Sequence, residues 1–270
     1  MSQAAVYTTL QYLVYTGERP IYYASTGGAA AALKVSAEFE AREVPVHDAR
    51  QIEATLDTQG FALRPHPTTV EDFYADRSAW QTLYEAEIRD LVLRATGAVD
   101  IHVFDHTLRS DSSSVRGENT TREPATIIHN DYTDASAARR LRDLLPEEQA
   151  DDWLGRRHAI INVWRSIRGT VLTTPLACCD SSTIAPGDLV ASERRAEDRI
   201  GELELVSWNP RHRWYYYPEM DRNEALLIKC FDSASDGRAR RSIHTAFNNP
   251  LAGPDAAPRE SIETRTIIAY

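Results

Sequence analysis

Thr126-Ile127-Ile128-His129-Asn130-Asp131-Tyr132-Thr133 runs from β-branched residues straight into a His-x-Asp pair. Residues two apart on a strand project from one face, so the imidazole of His129 and the carboxylate of Asp131 are expected side by side. That is two-thirds of the 2-His-1-carboxylate set that holds non-haem Fe(II) with coordination positions left open. A third ligand must come from elsewhere, and His244 in Ser242-Ile243-His244-Thr245-Ala246-Phe247 is the candidate. Further on stands Arg259-Glu260-Ser261, where an arginine can grip a dicarboxylate with both arms of its guanidinium. Together these residues point to an Fe(II) oxygenase with 2-oxoglutarate as co-substrate and O2 as oxidant.

The chain around this stretch has 270 residues, 42% hydrophobic and 26% charged, enough apolar material for one sizeable core. A formal net charge of −10 argues against a nucleic-acid surface, which needs clustered Lys and Arg. Three cysteines (Cys178, Cys179 and Cys230) give no disulfide framework and read as reduced thiols. The first residues lack a basic region followed by an apolar run, and no stretch approaches the length of a spanning helix. The expectation is a cytoplasmic protein that meets neither membrane nor nucleic acid and acts on a small molecule. Its oligomeric state is open, a homodimer included.

Upstream, Ala4 to Tyr15 reads as a strand, and Val44 to Arg50 as a short strand entering a turn. Prolines keep Phe61 to Pro67 extended. Trp80, Leu83, Tyr84, Ile88, Leu91, Val92 and Ala95 recur at threes and fours, which predicts a helix over Ala75 to Thr96 stopped by Gly97. Val99 to Thr107 alternates like a strand, whereas 110–124 has loop composition. Downstream of Asp131 two short helices are expected, from Thr133 to Leu145 and from Glu147 to Gly155. Strands then follow over His158–Arg165, Leu172–Cys179, Glu202–Trp208, Arg213–Tyr217, Ala225–Phe231, Arg240–Phe247 and Glu260–Tyr270. This predicts a mainly β protein with flanking helices (α+β): a single domain in which residues 1–124 pack on a double-stranded β-helix, or jelly-roll, core of 125–270.

Other residues have competing readings. Asp105 and His106 are adjacent and fall on opposite strand faces, a poor geometry for joint ligation, though His106 is a candidate pocket residue. Asn162 and Trp164 share a face, so Asn162 is a candidate for the co-substrate and Arg165 for a substrate carboxylate or for Asp180 or Asp232. In Trp208, Trp214, Tyr215, Tyr216 and Tyr217 the rings either fill the barrel or line its cavity, with Trp214 and Tyr216 as candidate substrate contacts. Arg259, Ser261, Glu263 and Arg265 alternate along one face, so Arg265 competes with Arg259 for the co-substrate.

The chain also resembles the fungal and bacterial AsaB/CmcJ group of hydroxylase/desaturase proteins, which includes gibberellin-desaturase-like and cephamycin-hydroxylase-like members. The resemblance runs through Val46-His47-Asp48-Ala49-Arg50, Asp57-Thr58-Gln59-Gly60-Phe61, Val103 to Arg109, His129 to Thr133 and Asn162-Val163-Trp164-Arg165. It continues through Pro175 to Asp180, Trp214-Tyr215-Tyr216-Tyr217-Pro218-Glu219-Met220, Leu227 to Ser233, His244 to Phe247 and Pro258 to Arg265. It departs at Ala239-Arg240-Arg241-Ser242-Ile243, where a more apolar lead-in to the distal histidine is usual. The resemblance implies a 2-oxoglutarate-dependent oxidation (hydroxylation, desaturation or ring closure) of a natural-product intermediate. It also implies His129, Asp131 and His244 as iron ligands and Arg259 as co-substrate anchor. Two rivals make different predictions: a metal dioxygenase indifferent to 2-oxoglutarate, and a cupin-like binding protein that takes up no metal.

Overall fold

The computed structural model describes residues 5–197 and 199–270; Ala4, expected to open the first strand, lies outside them. In chain order the first half contains β1 (Ala5–Val14), β2 (Ile21–Tyr23), β3 (Lys34–Val35), β4 (Glu38–Asp48), β5 (Phe61–Pro65), α1 (Arg77–Thr96), β6 (Asp100–Ser110) and α2 (Ser113–Asn119). Next come β7 (His129–Asn130), α3 (Asp134–Leu144), α4 (Glu147–Leu154), β8 (His158–Ser166), β9 (Leu176–Cys179) and β10 (Leu189–Arg195). The chain closes with β11 (Ile200–Val206), β12 (Trp214–Tyr216), β13 (Glu224–Asp232), β14 (His244–Ala246) and β15 (Glu260–Ala269). The strands form a larger sheet, β1-β4-β12-β9-β14-β7-β11-β10-β2-β3, and a smaller one, β5-β13-β8-β15-β6. Strands from the first 124 residues therefore enter both sheets.

The architecture is the expected jelly roll. Its inner core joins Ile160, Trp164, Leu226 and Ile228 of the smaller sheet to Leu176, Cys178 and Tyr215 of the larger. Leu141, Leu145 and Trp153 of the α3–α4 hairpin pack into the same cluster. Helix α1 covers the other face of the smaller sheet, burying Trp80, Tyr84, Ile88, Leu91 and Val92 against Ile161, Val163, Ile262 and Ile268. Asp76 caps its start by accepting from the Ser78 amide, and Gly97 ends it at φ 72. Burying each large apolar side chain stabilises the fold by roughly 1.5–3 kcal/mol, so α1 is held by its stripe and not by propensity alone.

Three local departures matter for the site. The segment 110–124 is not merely a loop: it contains α2, capped by Ser112. After α2 the chain is pinned to β6, with the Arg122 amide donating to Leu108 and its carbonyl accepting from Ser110. Strand β10, absent from the sequence expectation, pairs β11 along its length. Finally, Gly60 at φ +86 crosses so close to the lead-in of β14 that an added Cβ would stand 2.9 Å from Ser242 Cβ. The Ser242 hydroxyl in turn donates to the Cys179 carbonyl, which fixes the register in which His244 pairs with Cys178 and His129. The polar Ala239–Ile243 lead-in thus delivers His244 to the inner face.

Candidate metal centre

His129 on β7 and His244 on β14 are cross-strand partners, with ring centroids 4.6 Å apart. Asp131 follows just beyond the end of β7, its Oδ1 3.7 Å from His129 Nε2. One ligand atom from each of the three lies within 4.8 Å of the others. Both imidazoles are oriented from behind. His129 Nδ1 is 2.8 Å from the Ile127 carbonyl and His244 Nδ1 is 3.2 Å from the Ser242 carbonyl. A carbonyl can only accept, so each Nδ1 carries the proton and each Nε2 presents a lone pair to the centre. His244 Nε2 is buried and has no protein partner.

The electrostatics suit a cation. Burial, with His244 adjacent, pushes the His129 imidazole down to about 3, so it stays neutral and able to ligate. Burial alone would raise the Asp131 carboxyl, but Arg265 and then His129 hold it far below the usual carboxylate range. Asp131 Oδ2 accepts from Asn162 Nδ2 at 2.7 Å and Arg265 Nε at 3.1 Å, which leaves Oδ1 facing the histidines. Two imidazole nitrogens and one carboxylate oxygen, with His244 Nε2 buried and unpartnered among them, fit a divalent transition metal.

Asn162 and Arg265, expected at the co-substrate, contact the Asp131 carboxylate instead. They are cross-strand partners on β8 and β15, and Arg265 also reaches Asp105 at 2.6 Å, Thr107 at 3.0 Å and Glu263. Because Asn162 holds one oxygen of Asp131, Asn162→Ala is expected to weaken the affinity of a metal bound by this set by about 10–100-fold. A Mn(II) titration of the variant checks this, and an unchanged dissociation constant would refute the role.

Arg259 lies elsewhere on the inner face. It is 2% exposed, donates through Nε to Ser261 Oγ at 3.0 Å and through Nη1 to the Thr174 carbonyl at 2.8 Å, and stacks 5.1 Å above the Trp164 ring. No carboxylate among the described residues comes within ion-pair distance of it. Burial, with Arg109 next, pushes this guanidinium down to about 9. The adjacent Trp164 Nε1 is a buried donor without a partner. Cation and orphaned donor together form a cradle for an anion.

The four candidate substrate contacts point away from the His129-Asp131-His244 set. Arg165 projects to the opposite face from Trp164, where it donates to the His66 carbonyl at 2.8 Å and covers Tyr84 of α1. His106 bridges Thr264 and Glu85 on that same outer side, and Asp105 turns inward as the adjacent-residue argument required. Tyr215 pairs with Cys178, itself the partner of His244, so Tyr215 shares the face of His244. Trp214 and Tyr216 consequently face away, Trp214 donating to Tyr12 Oη at 2.7 Å and Tyr216 meeting Phe247 edge-on. Sequence reasoning missed Arg122 and Arg194, which line the cleft against His129 and Asp131. The signal available was the alternation Asp105, Thr107, Arg109 on β6 opposite Arg265, Glu263, Ser261 on β15, which marks a polar interior.

A sequence-family model described as an oxidoreductase/YMDC permease-like domain matches residues 10–269. No helix among the described residues is long and apolar enough to cross a membrane. The chain belongs to this oxidoreductase family, and within it to the Fe(II)/2-oxoglutarate-dependent hydroxylase/desaturase class. It is 33% identical to the hydroxylase/desaturase CTB9 of Cercospora beticola, over 86% of this chain and 78% of that relative. It is also 33% identical to the Fe(II)/2-oxoglutarate-dependent dioxygenase nvfI of Aspergillus novofumigatus, over 84% of this chain and 82% of that protein. Among solved structures, the iron and alpha-ketoglutarate-dependent endoperoxidase NvfI superposes with a TM-score of 0.86 at 28% identity, covering 100% of this chain and 99% of that one.

Proposed function

We propose that this chain oxidises a small natural-product intermediate with Fe(II) held by His129, Asp131 and His244 and with 2-oxoglutarate anchored by Arg259. The observation that carries the reading is the coincidence of a His-Asp-His set on the larger sheet and, beside β15 of the smaller sheet, a buried arginine with no carboxylate partner among the described residues. Bound iron, with 2-oxoglutarate and O2, supplies the oxidising power to remove hydrogen from an unactivated C–H bond. The protein's own groups bind and orient. His129 and His244 present Nε2, and Asp131 presents Oδ1 because Asn162 and Arg265 hold its other oxygen. Arg259 pairs with the distal carboxylate of the co-substrate, steadied by Ser261 and Thr174, and Trp164 Nε1 donates to it. The buried surroundings exclude water, which strengthens each of these contacts. The three buried reduced thiols fit a reducing compartment, the cytoplasm.

Anaerobic addition of Fe(II) and then 2-oxoglutarate tests this. A weak visible charge-transfer band is expected only when both are present. Iron uptake without any response to 2-oxoglutarate would move the protein to a metal dioxygenase that takes its electrons from substrate.

A further inference from the structure

The mouth of the metal site carries more positive charge than its neighbours neutralise. Arg122, Arg194 and Arg265 line both the narrow cleft against His129 and Asp131 and the wider depression outside it. They differ in what they touch. Arg265 is committed to Asp131, Asp105 and Glu263. Farther out, Arg199 lies 3.8 Å from Asp143 and Arg140 covers the Phe104 ring. The guanidinium groups of Arg122 and Arg194, by contrast, meet no carboxylate within ion-pair distance and no hydrogen-bond acceptor among the described residues.

These two side chains are not loose surface groups. Arg122 is tied to β6 through both its amide and its carbonyl. Arg194 lies within β10, held in register opposite Gly201 and beside Tyr22. Both are partly buried, and each feels the charge of other arginines: Arg109, Arg194 and Arg265 for Arg122, and Arg265 and Arg199 for Arg194. Asp105 and Asp131 are already paired with Arg265; Glu123 also lines the narrow cleft, where four arginines (Arg109, Arg122, Arg194 and Arg265) face two carboxylates, Glu123 and Asp131. Holding like charges together in a half-buried cleft costs free energy unless an anion joins them. The chain as a whole carries −10, so the cluster stands out as a local attractor for negative charge.

We propose that Arg122 and Arg194 form an oxyanion subsite that takes a carboxylate of the organic substrate beside the metal. The proposal rests on the oxygenase reading and adds a substrate class to it: small organic acids whose apolar body lies against Phe104 and Tyr132, which line the same depression. The co-substrate's distal carboxylate has its own partner in Arg259, which does not line this cleft, so the site has two separate anion positions.

Calorimetric titration of the protein loaded with Mn(II) and 2-oxoglutarate tests this, with 2-naphthoate as the acid probe and 2-naphthamide as its neutral counterpart. The naphthoate should bind at least about tenfold more tightly than the amide. Arg122→Leu and Arg194→Leu should each remove most of that preference while leaving 2-oxoglutarate affinity and amide binding as they were. Each variant should also melt at an unchanged or higher temperature, because an unpartnered cation is removed; a lowered melting temperature would mark the arginine as structural and overturn the subsite. Equal binding of the two probes, or no naphthoate binding, overturns it too. If the variants lose 2-oxoglutarate instead, the arginines belong to the co-substrate anchor and the subsite is refuted. Failure of the oxygenase reading shows separately, as no uptake of Mn(II) or 2-oxoglutarate, and titration of naphthoate into the metal-free protein then still decides the subsite.

Discussion

Asp131→Ala should abolish iron retention. The variant loses the one anionic ligand of the set, and the two neutral imidazoles that remain cannot offset the charge of a divalent ion in a buried site. A loss on the order of a thousandfold in affinity, about 4 kcal/mol, is the expected scale. Formation of succinate from 2-oxoglutarate should fall with it to background. The fold should survive, because Arg265 keeps Asp105 and Glu263 as partners when Asp131 is gone. Circular dichroism and a thermal melt separate lost metal from lost structure. A folded variant that holds iron with wild-type affinity would remove Asp131 from the centre.

Loss of the Arg259 guanidinium should be nearly as damaging, but in a different parameter. Arg259→Leu leaves the distal carboxylate of 2-oxoglutarate facing a buried apolar surface, and removing one member of a buried charge pair costs roughly 2–5 kcal/mol. The KM for 2-oxoglutarate should rise about 100-fold or more with a smaller change in kcat, since the lost contact is made by the bound co-substrate before the transition state. Arg259→Lys should restore part of the affinity, because it keeps the charge and loses the fork. Metal binding should be unaffected, as Arg259 contacts none of the three ligands. An unchanged KM in a folded Arg259→Leu variant would shift the anchor to another cation, Arg109 first.

The parts of this arrangement that sequence made legible are those fixed by local periodicity. Period two places His129 and Asp131 together whichever sheet their strand joins. The three-and-four spacing from Trp80 to Val92, closed by Gly97, fixes α1. What stayed hidden depends on phase and on partner. Strand β8 is buried along its whole length, so no polar side marks which of Trp164 and Arg165 points inward. Tyr215 and Tyr216 pose the same problem on β12, where every residue is buried and aromatic. The role of Asn162 and Arg265 follows from their being paired across β8 and β15, a contact between distant parts of the chain that no local pattern encodes. Arg122 and Arg194 were obscured because the first lies in a polar stretch of loop composition and the second in a short strand ending in charges.

The order of strands in the larger sheet has a further consequence, for how the protein is made. β7, which carries His129, pairs with β11 and β14, and the outermost β1 and β4 join the sheet's centre through β12. Pairings of such long sequence separation are entropically costly to close and fold slowly. A ribosome must release β14 and β15 before the three ligands meet and Arg265 can lock Asp131. Chains truncated ahead of those strands should be unable to retain iron however much of the sandwich they have formed. During synthesis the edges of β8 and β6 wait for β15, which pairs between them, and are exposed to misassembly. Iron supplied after release, not during translation, should therefore give the higher yield of active protein.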